Sequence, residues 1–145
     1  MLQVSIANSG DYSKITSFYR GCGYFCQLSE SDLVIQAREN GEVVGAVRLC
    51  TEEGKLVLRG MYVIEEKRGS GIGTALLRIA SNEIGNRECW CIPYTHLVDL
   101  YGRVGFQEIP KGSEPSFLLN RLASYVAKGK PVVLLVREEN WRVVA

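Results

Sequence analysis

The stretch Met61-Tyr62-Val63-Ile64-Glu65-Glu66-Lys67-Arg68-Gly69-Ser70-Gly71-Ile72-Gly73-Thr74 holds residues whose types and spacing could do chemistry. A strand-like run passes into a glycine-rich turn, and the turn into a helix. Gly69, Gly71 and Gly73 remove side chains where that helix begins. The first N–H groups of a helix have no intrahelical partner, and with the helix dipole they form an anion site. A diphosphate can approach such a backbone closely. Lys67 and Arg68 add positive charge beside it.

Two familiar phosphate loops do not fit. A Walker loop needs Gly-x4-Gly-Lys-Ser/Thr, and no lysine follows these glycines. A Rossmann fingerprint needs a third glycine where Thr74 stands, within a βαβ unit. Other reactive groups are sparse. Cys89-Trp90-Cys91 lies on a short strand, with both sulfurs on one side and the indole on the other. Cys-x-Cys on a strand is poor ligand geometry, and His96 is the only histidine, so no metal site is expected. Cys22, Cys26, Cys50, Cys89 and Cys91 read mostly as small buried hydrophobes. A cysteine nucleophile with His96 as base is a minor alternative.

These residues need a scaffold, and the pattern supplies one. Gln3–Ala7 reads as a strand. A helix follows, with Asp11 as N-cap and Ile15, Phe18, Tyr19 and Cys22 at helical spacing. Strands are predicted over Leu33–Arg38, Glu42–Cys50 and Lys55–Ile64, with Asn40-Gly41 and Glu53-Gly54 as turns. The helix after the glycines spans Gly71–Ile84, with Ile72, Ala75, Leu76, Ile79 and Ala80 as its apolar stripe. Then come a strand over Arg87–Ile92, a helix capped by Thr95, and a strand over Phe106–Ile109. A helix over Pro115–Lys128, with Ser113 suited to cap it, and a strand over Val132–Arg137 complete the order.

A chain of 145 residues, 46% of them hydrophobic, suits one compact domain over residues 1–145. The net charge is +1, from 17 basic and 16 acidic residues, which offers no broad footprint for nucleic acid or an anionic membrane. An odd cysteine count argues against a disulfide framework. Polar residues follow Met1-Leu2-Gln3-Val4 at once, and no apolar run could span a bilayer. No signal peptide is expected, and the expected location is cytoplasmic.

Arg68-Gly69-Ser70-Gly71-Ile72-Gly73 follows the pattern Arg/Gln-x-x-Gly-x-Gly/Ala. In this it resembles the acyl-CoA loop of the GNAT superfamily of acyl-CoA N-acyltransferases. Leu100-Tyr101-Gly102-Arg103-Val104-Gly105-Phe106 and the element order resemble that superfamily too, over about residues 3–137. The competing reading is a ligand-free strand-to-helix turn. The resemblance implies an α/β (α+β) fold with a mixed sheet of about seven strands and helices on both faces. It implies transfer of an acetyl group from acetyl-CoA to a primary amine, on a small-molecule or amino-acid-like acceptor. The alternatives are acetylation of a protein N-terminus or lysine, and a catalytically silent acyl-CoA sensor. Dimers are common in the superfamily, so a homodimer is compatible.

The resemblance also assigns residues. Main-chain groups of Met61 and Val63, beside Tyr62, would hold pantetheine. Arg68, Gly69, Ser70, Gly71, Ile72, Gly73 and Thr74 would cradle the diphosphate. Tyr101 is the family-matched donor of a proton to the leaving thiolate; its other reading is a core tyrosine, sharing an apolar face with Leu97 and Val104. Strand alternation puts Val57, Arg59 and Met61 on the acceptor-facing side. None of the three is a base at neutral pH, where many relatives carry Glu or His. Deprotonation could go through water to a carboxylate, with Glu30, Asp32 and Glu52 unranked candidates, or to bulk solvent. Arg59 could hold a carboxylate on the acceptor or be an ordinary sheet-edge charge.

Overall fold

The computed structural model describes residues 1–108 and 112–141. Strands β1 (Leu2–Ile6), β2 (Leu33–Glu39), β3 (Glu42–Glu52), β4 (Lys55–Val63), β5 (Cys89–Cys91) and β6 (Leu135–Arg137) form one sheet in that order. All neighbours run antiparallel except β4 and β5, which are parallel. A parallel pair needs a crossover, and helix α2 (Ile72–Ile84) provides it. The other helices are α1 (Tyr12–Gly21), α3 (Val98–Gly102) and α4 (Ser116–Ala127). Both early hairpins turn through paired positive φ angles, 54° and 83° at Asn40-Gly41 and 47° and 77° at Glu53-Gly54. Such turns match the natural twist of the flanking strands.

The sheet has two differently covered faces. On one, Leu76, Leu77, Ala80 and Ile84 of α2 pack with Ile35, Val47, Leu49, Leu58, Cys89 and Cys91. On the other, Ile15 and Tyr19 of α1 pack on Val34 and Ala46. Farther along that face, Leu118 of α4 packs with Val57, Trp90 and Val136. Between these two patches the face carries Arg48, Cys50, Glu52 and Arg59, a polar strip flanked by apolar clusters.

Several predicted details differ. Six strands form among the described residues, where about seven are expected. The strand expected over Phe106–Ile109 is reduced to one bridge, Gln107 to Val136, and Ile109 lies outside the described residues. The strand expected over Val132–Arg137 is regular only from Leu135, while Val132 bridges to Tyr94. Asp11 precedes α1 without capping it through its side chain. Its carboxylate instead accepts from the Asn8 N–H at 3.1 Å and from Gln36 and Arg38 at 2.9 and 3.1 Å. Asn8 caps the short 3-10 turn Ser9–Asp11 that leads into α1, accepting from the Gly10 N–H at 2.9 Å. Pro115 takes the N-cap position of α4, and Glu114 accepts the Ser113 N–H.

Candidate functional site

The site begins with a fault in the sheet. Arg48 pairs with Arg59 and Ala46 with Tyr62, so Val47 faces two residues of β4, Gly60 and Met61. This is a β-bulge, and Gly60 takes the left-handed conformation at its centre, with φ of 66°. A Cβ at Gly60 would also stand 3.0 Å from the Tyr24 ring and 3.1 Å from the Tyr19 hydroxyl. The bulge resets the strand's alternation. Val57 and Arg59 face α4 and the polar strip, as expected. Met61 does not share their side: it packs with the α2 cluster, and Tyr62 takes the opposite face.

The bulge coincides with the end of pairing between β4 and β5. Leu56–Leu58 pair with Cys89–Cys91, and the ladder stops there. Beyond it the chain turns to the other neighbour: Pro93 accepts the Val133 N–H at 3.0 Å, and Tyr94 bridges to Val132. The sheet therefore opens beside Gly60–Val63. Ile64 donates to the Val44 carbonyl at 2.9 Å. By the two-residue repeat, Tyr62 faces β3 as well, so Met61 and Val63 turn their N–H and C=O groups toward the opening.

Two cavities flank this opening. The larger, about 610 Å³, is lined by Met61, Tyr62 and Val63, by the glycine turn, and by His96, Leu97, Leu100 and Arg103. Its volume lies in the range of cofactor and drug-sized sites. Arg68, Gly69, Gly71, Ile72, Gly73 and Thr74 all line it, whereas Ser70 does not. The Ser70 hydroxyl turns back to the Lys67 carbonyl. Gly71 caps α2 at φ 90° with no side-chain acceptor on the first-turn N–H groups. An added Cβ at Gly69 or Gly71 meets no protein atom within 4 Å. Gly73 is different: its Cβ would make an ordinary 3.5 Å contact with Leu100. Lys67, Arg68 and Arg103 bring positive charge to this cavity, and no carboxylate lines it among the described residues. Arg68 also donates to the Val63 carbonyl at 3.2 Å, tying the turn to the end of β4.

The smaller cavity, about 150 Å³, lies toward the polar strip, lined by Arg59, Gly60, Tyr24, Arg121, Tyr125 and Tyr101 among others. Met61, Tyr62, Tyr94 and Leu97 belong to both walls, so the cavities adjoin at the bulge. Tyr101 is only 4% exposed and stacks edge-on with Phe106 at 5.9 Å. It is thus a core tyrosine that also reaches a cavity wall. Burial, and next the neighbouring Cys91, push its phenol well above its usual value, so it stays protonated at neutral pH. His96 lies on the larger cavity and not on the smaller.

Two of the three candidate carboxylates are paired with arginines. Glu52 bridges Arg59, at 3.1 Å, and Arg121. Burial pushes its carboxyl up, but the hydrogen bonds and charges of Arg121 and Arg59 outweigh that and hold it below its ordinary value. That makes Glu52 a weak base. Asp32 pairs with Arg48 at 3.1 Å, and Arg48 also donates to the Tyr24 hydroxyl at 2.5 Å. Glu30 is exposed and lines neither cavity. The thiols are no better placed as nucleophiles. Burial raises Cys50 to about 11 and Cys89 to about 12, and raises Cys91 as well. Among the described residues, no three His, Cys, Asp or Glu side chains gather as a metal site would require.

Sequence reasoning named Arg59, Met61, Tyr62 and Tyr101 on the wall of the smaller cavity but did not assemble the rest of it. Tyr24, Tyr94, Arg121, Tyr125 and Lys130 converge from three separate segments, and no local spacing announces that. Arg103 stood inside a stretch already singled out, one helical turn from Leu100, but carried no assigned role.

Comparison with known proteins agrees with this geometry. The model of the acetyltransferase (GNAT) domain family matches residues 30–108, more than half the chain. Comparison with curated proteins finds no match. Among solved structures, the ribosomal-protein-S18-alanine N-acetyltransferase of Escherichia coli superposes with a TM-score of 0.69 at 15% identity, over 100% of this chain and 99% of that one. ElaA of Escherichia coli gives 0.68 at 15% identity, covering 95% of this chain and 100% of that one. N-acetylglutamate synthase of Neisseria gonorrhoeae, complexed with coenzyme A and N-acetyl-glutamate, gives 0.65 at 18% identity, covering 98% of this chain and 36% of that one. The chain belongs to the acetyltransferase (GNAT) domain family and is an acyltransferase of that class. No helix among its described residues is long and apolar enough to cross a membrane.

Proposed function

We propose that this protein, acting as one domain, transfers an acetyl group directly from acetyl-CoA to the primary amine of a small acceptor. The observation that carries this reading is the meeting of two cavities at the bulge of β4. In this account the diphosphate rests on the N–H groups from Arg68 to Thr74 at the start of α2. Pantetheine runs along the backbone of Met61 and Val63, and the thioester reaches the junction at Met61 and Leu97. The amine enters through the smaller cavity.

A neutral amine then attacks the thioester carbonyl, and the N–C bond forms. The Met61 N–H, or that of a neighbour, stabilises the oxyanion. As the C–S bond breaks, Tyr101 gives its proton to the sulfur; the proton lost by the nitrogen passes to solvent, and Tyr101 takes one back from solvent before the next turnover. No carboxylate lines the smaller cavity among the described residues, so no side-chain base is assigned. Burial keeps the phenol protonated at neutral pH, and the same desolvation makes the departing thiolate more basic, so the proton still has an acceptor.

The test is an acceptor screen that follows release of free CoA thiol from acetyl-CoA. Amine-dependent release at a saturable rate supports transfer. Slow hydrolysis that no amine stimulates contradicts it and favours an acyl-CoA sensor.

A further inference from the structure

We infer that the acceptor is a small amine bearing a carboxylate, which Arg121 and Arg59 hold in the smaller cavity. The inference rests on the transferase reading above and names its substrate class. Arg59 and Arg121 both line this cavity, with Lys130 exposed at its rim. The other titratable groups on its wall are the hydroxyls of Tyr24, Tyr62, Tyr94, Tyr101 and Tyr125 and the thiol of Cys91. No described acidic side chain lines it.

Glu52 does not cancel this arrangement; it organises it. Its Oε1 accepts from Arg59 and its Oε2 from Arg121, so one carboxylate fixes two guanidiniums from β4 and α4. Glu52 is not itself on the cavity wall. One negative charge behind two positive ones leaves a net cationic wall. Arg121 Nη1 is also buried without a hydrogen-bond partner, while its Nη2 is held by Glu52. A buried donor left unsatisfied is costly, and a carboxylate drawn against this guanidinium with a small shift of the side chain would satisfy it. The cavity's 150 Å³ matches a compact acceptor rather than an extended one. The same cations repel an ammonium group, which favours the neutral amine where no base stands.

The experiment compares amino acids with their amides under saturating acetyl-CoA, and N-acetylglycine with N-acetylglycinamide by calorimetry on the CoA-bound protein. Counted per neutral amine, the carboxylates are expected to show kcat/KM values about 10- to 100-fold above the amides, and N-acetylglycine to bind correspondingly tighter. Arg121→Met should erase most of that ratio and leave the KM for acetyl-CoA unchanged. Arg121→Lys, which keeps the charge and the contact to Glu52, should retain part of it. Equal values for acids and amides in both measurements would overturn the inference while leaving transfer intact. If no amine is turned over, the transferase reading fails, and the calorimetric ratio still decides whether the cavity selects carboxylates.

Discussion

Tyr101 is a group whose two readings the structure shows to be compatible. The ring belongs to the core beneath α2, and the same residue reaches the wall of the smaller cavity. Tyr101→Phe separates packing from acid catalysis, since it keeps the ring and removes the hydroxyl. The single-turnover rate is expected to fall about 10²- to 10⁴-fold, with acetyl-CoA affinity and melting temperature near wild type. Because burial holds its phenol well above the usual value, Tyr101 should put no falling limb on the wild-type pH–rate profile below about pH 10. Glu52 offers a second test. Its folded pKa is depressed, so it stabilises the fold above its unfolded value and loses that contribution as pH falls through the folded one. Glu52→Gln should cost about 1–3 kcal/mol at pH 7, because two partly buried guanidiniums lose their charged partner and one of them meets an NH2 donor, and should flatten the acid side of the stability profile. Urea melts from pH 3 to 7 would check both. The types of Tyr101 and Arg59, and their places in the chain, were readable from sequence. The ion triad was not, because Arg121 is 69 residues from Glu52.

At the level of elements, the working feature is the bulge in β4 together with the early end of its pairing with β5. Periodicity found the strand but not the bulge, and so it put Met61 on the wrong side. A single glycine inside an alternating run is consistent with either an ordinary strand or a bulge. What decides it is the register of β3, which a local pattern does not contain. Gly60→Ala tests the feature. The substitution is strained at φ 66° and presses on Tyr24 and Tyr19. Stability should drop by about 1–3 kcal/mol, and kcat/KM should fall more than stability alone explains, since Met61 would be displaced. A mutant with wild-type melting and kinetics would show that the bulge is dispensable. The strand after α3 was over-read for a related reason. Phe106 and Gln107 have strand-like character, but β6 is short, and among the described residues of that stretch only Gln107 bridges to it.

For the molecule as a whole, the mixed architecture, the β-hairpins and the placement of α2 after the glycine turn were legible from turn residues and periodicity. The convergence of Tyr24, α4 and the segment after β5 on one opening was not, because it depends on three-dimensional closure. The account's central claim is that this opening receives acetyl-CoA with its diphosphate on the start of α2. Thermal melting with acetyl-CoA tests it most directly, alongside Gly71→Glu, which sets bulk and negative charge at the diphosphate position. At a concentration about a hundred times the dissociation constant, wild type should gain about 2.7 kcal/mol of stability, and the variant almost none. A well-folded wild type that shows no shift at millimolar acetyl-CoA, or a Gly71→Glu protein stabilised as much as wild type, would contradict the account.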